Sequence, residues 1–169
     1  MPLKGEAMYT NILKHLKTVT IHKYYVFIEC CKMGIPLQGI LHDLSKFDRL
    51  EFMSSAKYWR GNGSPIDAER AAIGYSYGWL HHKGKNKHHW QWYVDIVGYN
   101  DDMTIDYRVA PMPNKYILEM YCDMVGAAKA YKTGTARDYY MKHYKKWILH
   151  PITRKKLEKL LKVKRCKNI

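Results

Sequence analysis

Imidazoles and carboxylates fall in short groups along the chain: His22, His42-Asp43, His81-His82, His88-His89 and Asp123. Neutral imidazole with carboxylate is the donor set that a divalent ion of intermediate hardness takes. Donors distant in sequence meet when helices carry them into one core, as in carboxylate-bridged two-metal bundles. Asp123 stands among Ile117, Met120, Tyr121, Met124 and Val125. A carboxylate buried in such company is costly unless a cation satisfies it. Each piece also has a plainer use. His15, seven residues before His22, lies on nearly the same helix face and competes with it. Residues 81–89 read equally as a basic surface loop, and Asp123 with Glu119 as a solvated stripe. Taken in order and together, the groups favour a metal site.

That order resembles the HD superfamily of metal-dependent phosphohydrolases, particularly its two-metal branch. Gly39-Ile40-Leu41-His42-Asp43-Leu44-Ser45-Lys46 is similar to the superfamily's His-Asp-x-x-Lys signature. Nearly the whole chain is also similar to a family of bacterial and phage proteins without an assigned activity. These share His-Asp-Leu-Ser-Lys-Phe, Asn-x-His-His-Trp and Met-Pro-x-Lys-Tyr, found here at 42–47, 86–90 and 112–116.

The HD resemblance implies His22 as first ligand, His42 as second, and Asp43 bridging two metals or binding one. One of His81 and His82, the second being preferred, would complete a second site with one or both of His88 and His89. Asp123 would close the first site, and Lys46 would face the substrate phosphate. The third and fourth histidine groups stand only six or seven residues apart, closer than in most two-metal members. A one-metal site of His22, His42, Asp43 and Asp123 therefore stays open.

The implied cofactor is one or two divalent ions, with Mn, Fe, Co, Mg or Zn as candidates. The implied reaction is attack of a metal-activated water on a phosphomonoester or phosphodiester. Asp43 would orient that water or take its proton. Lys46, Lys83, Lys85 and Lys87 would neutralise phosphoryl charge, usually the largest contribution to phosphoryl transfer. Trp79, Trp90 and Trp92 stand near the same loop and suit either core packing or a nucleotide base. The same donors also serve HD-like di-iron oxygenases. Two non-catalytic readings remain, a nucleic-acid-binding module and a scaffold. No Gly-rich phosphate loop, Gly-x-Ser-x-Gly elbow or Cys/His nucleophile pattern offers another enzyme class.

Helices must position these groups. Apolar spacing predicts helices over 6–33, 36–46, 48–59, 114–132 and 135–150, and a last one from Pro151. A helix from about Asp67 is expected to carry Ala71, Ala72, Tyr75, Trp79 and Leu80 inward. Residues 60–65 form the clearest loop. Residues 92–97 and 104–109 flank Gly98-Tyr-Asn-Asp-Asp102 as a small hairpin or an irregular excursion. The expected class is all-α: one HD-domain-like helical bundle of about seven helices over 1–169, with a basic C-terminal helix and tail at 151–169.

Composition agrees with a packed chain, since 47% of the 169 residues are hydrophobic and 14% aromatic, too many for disorder. No apolar run approaches the roughly 18 residues of a membrane span, and the N-terminus lacks a signal-peptide core, so a cytoplasmic protein is expected. Cys30, Cys31, Cys122 and Cys166 form no C-x-x-C pair and read as reduced, mostly buried thiols. The net charge is +14, and residues 142–169 contribute +10 of it through eleven Lys/Arg against Glu158. Such an end is either a solvated helix face or an attractor for nucleic acid and anionic substrates.

Overall fold

Helix α1 (Lys4–Lys32) is the longest element of the computed structural model, which describes residues 4–61 and 64–163. Lys164, Arg165, Cys166 and Lys167 of the basic tail lie outside the described residues. Gly34, in the left-handed region at φ 73°, and Pro36 end α1 as expected.

The helix expected over 36–46 is broken. Helix α2 (Pro36–Leu41) stops before His42, and a 3-10 turn follows at Leu44–Phe47. Between them Asp43 adopts the left-handed conformation, φ 53°. The cause comes from α1: Lys23 Nζ donates to the carbonyls of Ile40 and His42 at 2.8 and 2.7 Å. Those carbonyls would otherwise be among the orphans of the helix end. Gly39 lets α2 lie close on α1, because a Cβ there would stand 2.7 Å from Cys30 Cβ.

Helix α3 (Arg49–Tyr58) begins at Asp48, whose carboxylate accepts from Leu50 N at 2.9 Å. The next predicted helix divides in two. Helix α4 (Pro65–Ile73) ends at Gly74, φ 86°. Helix α5 (Tyr77–Lys85) restarts at Ser76, which accepts from Trp79 N. The restart changes the helical phase. Leu80 is exposed as a result, Trp79 is half-buried, and Ser76, Gly78 and His82 turn inward; Ala71, Ala72 and Tyr75, before the restart, are exposed as well, and Glu69 is buried.

A 3-10 turn (Trp90–Tyr93) leads into the hairpin, β1 (Val94–Tyr99) against β2 (Ile105–Val109), antiparallel with a bulge between Ile96 and Gly98. Helix α6 (Asn114–Tyr131) follows, then α7 (Ala136–His143) behind a Thr135/Asp138 capping box. The helix expected to reach His150 stops early, giving a 3-10 turn (Tyr144–Lys146) and an extended stretch before α8 (Pro151–Leu160). Arg154 of α8 holds that stretch, donating to the carbonyls of Tyr144 and Trp147 at 3.2 and 2.6 Å. The described residues thus form eight α-helices and a two-stranded hairpin. None of these helices is long and apolar enough to cross a membrane.

Helix α6 has two working faces. Ile117, Met120 and Met124 join Met112, Ala136, Tyr140, Leu157 and Leu161 in the apolar core. The opposite face meets α1, where Cys122 packs with Val26 and Cys30. Cys30 and Cys122 are buried free thiols, whereas Cys31 is exposed. Gly126 sets the closeness of that crossing, since a Cβ would come within 2.9 Å of Val26 N. Gly126 is one turn from Asp123 and Val26 one turn from His22, so the tight crossing also brings those two side chains together.

Candidate metal centre

The break at His42–Asp43 is what aims both side chains inward from one short segment. Asp43 is buried, and its two oxygens face different groups. On one side Oδ2 lies 3.3 Å from His42 Nε2 and 3.9 Å from His22 Nε2. Asp123 Oδ1 completes this group at 3.1 Å from His22 Nε2 and 3.5 Å from His42 Nε2. On the other side Oδ1 lies 3.5 Å from both His82 Nε2 and His88 Nε2. His89 Nε2 joins them, 2.7 Å from His82 Nε2. Of the eight residues grouped in the sequence, all but His81 therefore stand in two groups able to hold a metal ion, His22/His42/Asp43/Asp123 and Asp43/His82/His88/His89. We term them positions A and B.

Two carboxylates stand behind the imidazoles. Glu119 Oε1 accepts from His42 Nδ1 at 3.0 Å and lies 3.1 Å from His88 Nδ1. Gln38 Nε2 donates to the other oxygen at 2.5 Å. Glu51 Oε1 lies 2.6 Å from His82 Nδ1, and its Oε2 lies 3.2 Å from His81 Nδ1. A carboxylate on one ring nitrogen fixes the tautomer and leaves the other nitrogen free for a metal. Glu119 is thus no solvated stripe, being 3% exposed. His42, His88 and Glu119 also satisfy the spacing for a third metal group. Glu119 facing the Nδ1 atoms is better explained as the outer partner of both rings.

Other groups position the centre without touching it. Asn86 Nδ2 donates to Ser45 Oγ at 2.7 Å and to the His82 carbonyl at 2.8 Å, tying the end of α5 to the 3-10 turn that carries Lys46. Glu69 accepts from Ser54 Oγ at 2.7 Å and from Ser76 Oγ, joining α3, α4 and the start of α5.

The centre is more polar than its burial tolerates. Both ring nitrogens of His22, the Nε2 atoms of His42 and His88, and Asp43 Oδ1 are buried without a well-formed hydrogen bond. Each such group costs about 1–3 kcal/mol. The Nε2 atoms and Asp43 Oδ1 converge on A and B, so the residues present fit divalent ions. Burial, with Lys46 second, lowers the pKa of His22. Burial, then His88 and His82, holds His89 well below the usual range. Both are therefore neutral, the form a ligand needs. Burial also lowers His42, but Asp43, Asp123 and Glu119 outweigh it and hold its pKa well above normal. Burial raises Asp43 and Asp123, yet the surrounding imidazoles, with Lys46 acting on Asp43, bring both well below the carboxylate range.

The way in passes Asp123 and Lys46, whose side chains keep 22% and 26% exposure. Lys46 Nζ pairs with Asp43 Oδ2 at 2.7 Å. Trp79 borders this region, its ring 4.9 Å from His89, with the Arg70 guanidinium stacked 5.6 Å from the indole. Several expected contributors lie elsewhere. His15 packs on Phe52 with ring centroids 5.1 Å apart and belongs to neither position. Burial holds its pKa at about 4. Lys85 lines a separate groove with Leu41, Leu44 and Phe47, and Lys87 Nζ lies over Trp92. Trp90 packs against the apolar core.

The family of unknown function DUF5662 matches residues 11–163, and the chain belongs to that family. The match runs from within α1 past the end of α8 and includes every residue of both metal positions. No curated protein and no solved structure matches the chain.

Proposed function

We propose that this DUF5662 protein is a metal-dependent phosphohydrolase of the HD type, acting on a phosphomonoester or phosphodiester. The observation that carries the reading is Asp43, whose two oxygens face two separate histidine groups. His22, His42 and Asp123 would hold one ion, His82, His88 and His89 a second, with Asp43 shared between them. Divalent ions, with Mn, Fe, Co, Mg and Zn as candidates, would supply an activated water at neutral pH and positive charge for the phosphoryl oxygens.

The chain's own residues do the rest. Asp43 orients the nucleophile, being the one side chain common to both positions. Lys46 sits at the exposed edge, where its ammonium, now paired with Asp43, would be placed to meet the substrate phosphate once an ion is held by Asp43. The buried walls from α1, α5 and α6 exclude bulk water, which strengthens these charge interactions. Trp79 beside His89 favours a substrate with a flat organic group, such as a nucleotide.

A panel of nucleotides and aryl phosphates, assayed with each metal, tests the reading. Phosphate release that needs the cation and vanishes in His42→Ala supports it. Absence of turnover above that control across the panel overturns it. Oxygen consumption by an iron-loaded sample, without phosphate release, would instead identify a di-iron oxygenase built on the same donors.

A further inference from the structure

Glu119 is on the far side of the imidazoles from the metal positions, and it serves one ring from each. His42 belongs to position A and His88 to position B, yet both Nδ1 atoms meet the same oxygen, Oε1, at 3.0 and 3.1 Å. We propose that Glu119 is a positioning residue shared by both metal positions, so that its carboxylate sets the affinity of A and B together. The inference rests on the metal reading above. Glu51 supplies the contrast. It meets His82 Nδ1 at 2.6 Å and otherwise His81, which is no ligand, so it acts on position B alone.

The chemistry of the shared oxygen gives the argument its force. A carboxylate oxygen has two lone pairs and accepts two N–H groups, so one atom fixes two tautomers. Gln38 donates to the second oxygen and prevents the carboxylate from turning away. An amide in place of Glu119 keeps the shape but loses the charge. Its oxygen is a weaker acceptor for two Nδ1–H groups, even where Gln38 flips its own amide to accept from the new NH2. Both ligating rings then lose the anion that orients them and raises their basicity toward a metal. Removal of an outer partner typically weakens a metal site by about 10–100-fold.

Cobalt(II) titrations followed by calorimetry and visible absorption test this, with His22→Ala and His89→Ala as backgrounds that leave only position B or only position A competent. Glu119→Gln is expected to weaken the remaining position by about 10–100-fold in both backgrounds. Glu51→Gln is expected to do so only in the His22→Ala background. Gln38→Ala, which keeps the carboxylate, guards against a folding defect in Glu119→Gln and should weaken both positions by a smaller factor. The inference is overturned if wild type takes two ions while Glu119→Gln and Gln38→Ala affect one position only or neither. A wild-type chain that takes no cobalt overturns the metal reading and this inference with it.

Discussion

Helix α6 separates two interiors built on opposite principles. On one face Ile117, Met120 and Met124 enter an apolar core closed by Tyr140, Leu157 and Leu161. Most of its buried polar groups are paired: Tyr140 donates to Glu158 at 2.7 Å, and Thr153 accepts from Met112 N at 2.9 Å, with the Tyr93 hydroxyl the exception. On the other face Glu119 and Asp123 enter an interior of imidazoles and carboxylates in which five ring nitrogens and carboxylate oxygens of His22, His42, Asp43 and His88 lack a well-formed bond. The first region is satisfied almost wholly by the protein's own atoms. The second leaves a set of donor atoms that a cation could satisfy. One helix thus carries an apolar face and a metal-competent face a few residues apart.

The largest expected effect follows from the atom common to both positions. Asp43→Ala should reduce bound metal to none and turnover to background while leaving the far-ultraviolet dichroism helical. Retention of even one tightly bound ion would break the comparison, because position A would then stand without its shared carboxylate. Leu157→Ala tests the other interior. Loss of a fully buried leucine typically costs about 2–5 kcal/mol, read by denaturant melts, with metal stoichiometry unchanged. If that variant also loses its metal, the two regions are one cooperative unit.

Metal should stabilise the chain through the polar interior alone. Free ion at 100 times its Kd contributes about 2.7 kcal/mol per site, which raises Tm by about 5–10 °C in a chain of this size. Calorimetry of the chelated and reloaded protein checks it, and the Asp43→Ala variant should show no shift. Lys46→Ala should be milder still, leaving both ions bound while slowing turnover by about 10–100-fold, the scale of losing one charged contact of about 1.4–2.7 kcal/mol. Metal loss in that variant would assign Lys46 to the structure of the site.

The smallest effect is in protons. His42 carries a raised pKa in the metal-free fold, so it holds a proton that an ion at position A must displace. Affinity at A should rise with pH until that pKa is passed, and binding should release protons, seen as a buffer-dependent enthalpy. In the metal-free chain the His42 pairing contributes stability that is full below the unfolded value of about 6.5 and fades as pH rises through the folded pKa. Asp43 and Asp123, both depressed, act in the opposite sense. Their contribution is present above the unfolded value of about 3.9 and is lost as pH falls through their folded pKa.

The candidate metal groups were legible in the sequence because their residue types are rare together and their order resembles that of a known superfamily. Their outer partners were not. Glu119, four residues before Asp123, shares a helix face with it and looks like a solvated stripe until its distant contacts to His42 and His88 are known. Glu51 lies about 30 residues from the imidazoles it holds. Lys23 acts on carbonyls 17 and 19 residues away, so nothing local announced the break that frees His42 and Asp43. The division of α4 from α5 escaped notice for a different reason: Gly74 is tolerated in a helical pattern, and only its left-handed backbone ends the helix. The hairpin was visible as one of two alternatives because its turn residues cluster between two apolar runs.

The polar interior has the donor groups for two cations, with Asp43 common to both. Elemental analysis of the protein purified without chelator, compared with His42→Ala and Asp43→Ala, tests this two-metal reading most directly. Two divalent ions per wild-type chain are expected, with none retained by Asp43→Ala. A wild-type chain that carries no metal, and takes none up when Mn, Fe, Co, Mg or Zn is offered, would contradict it.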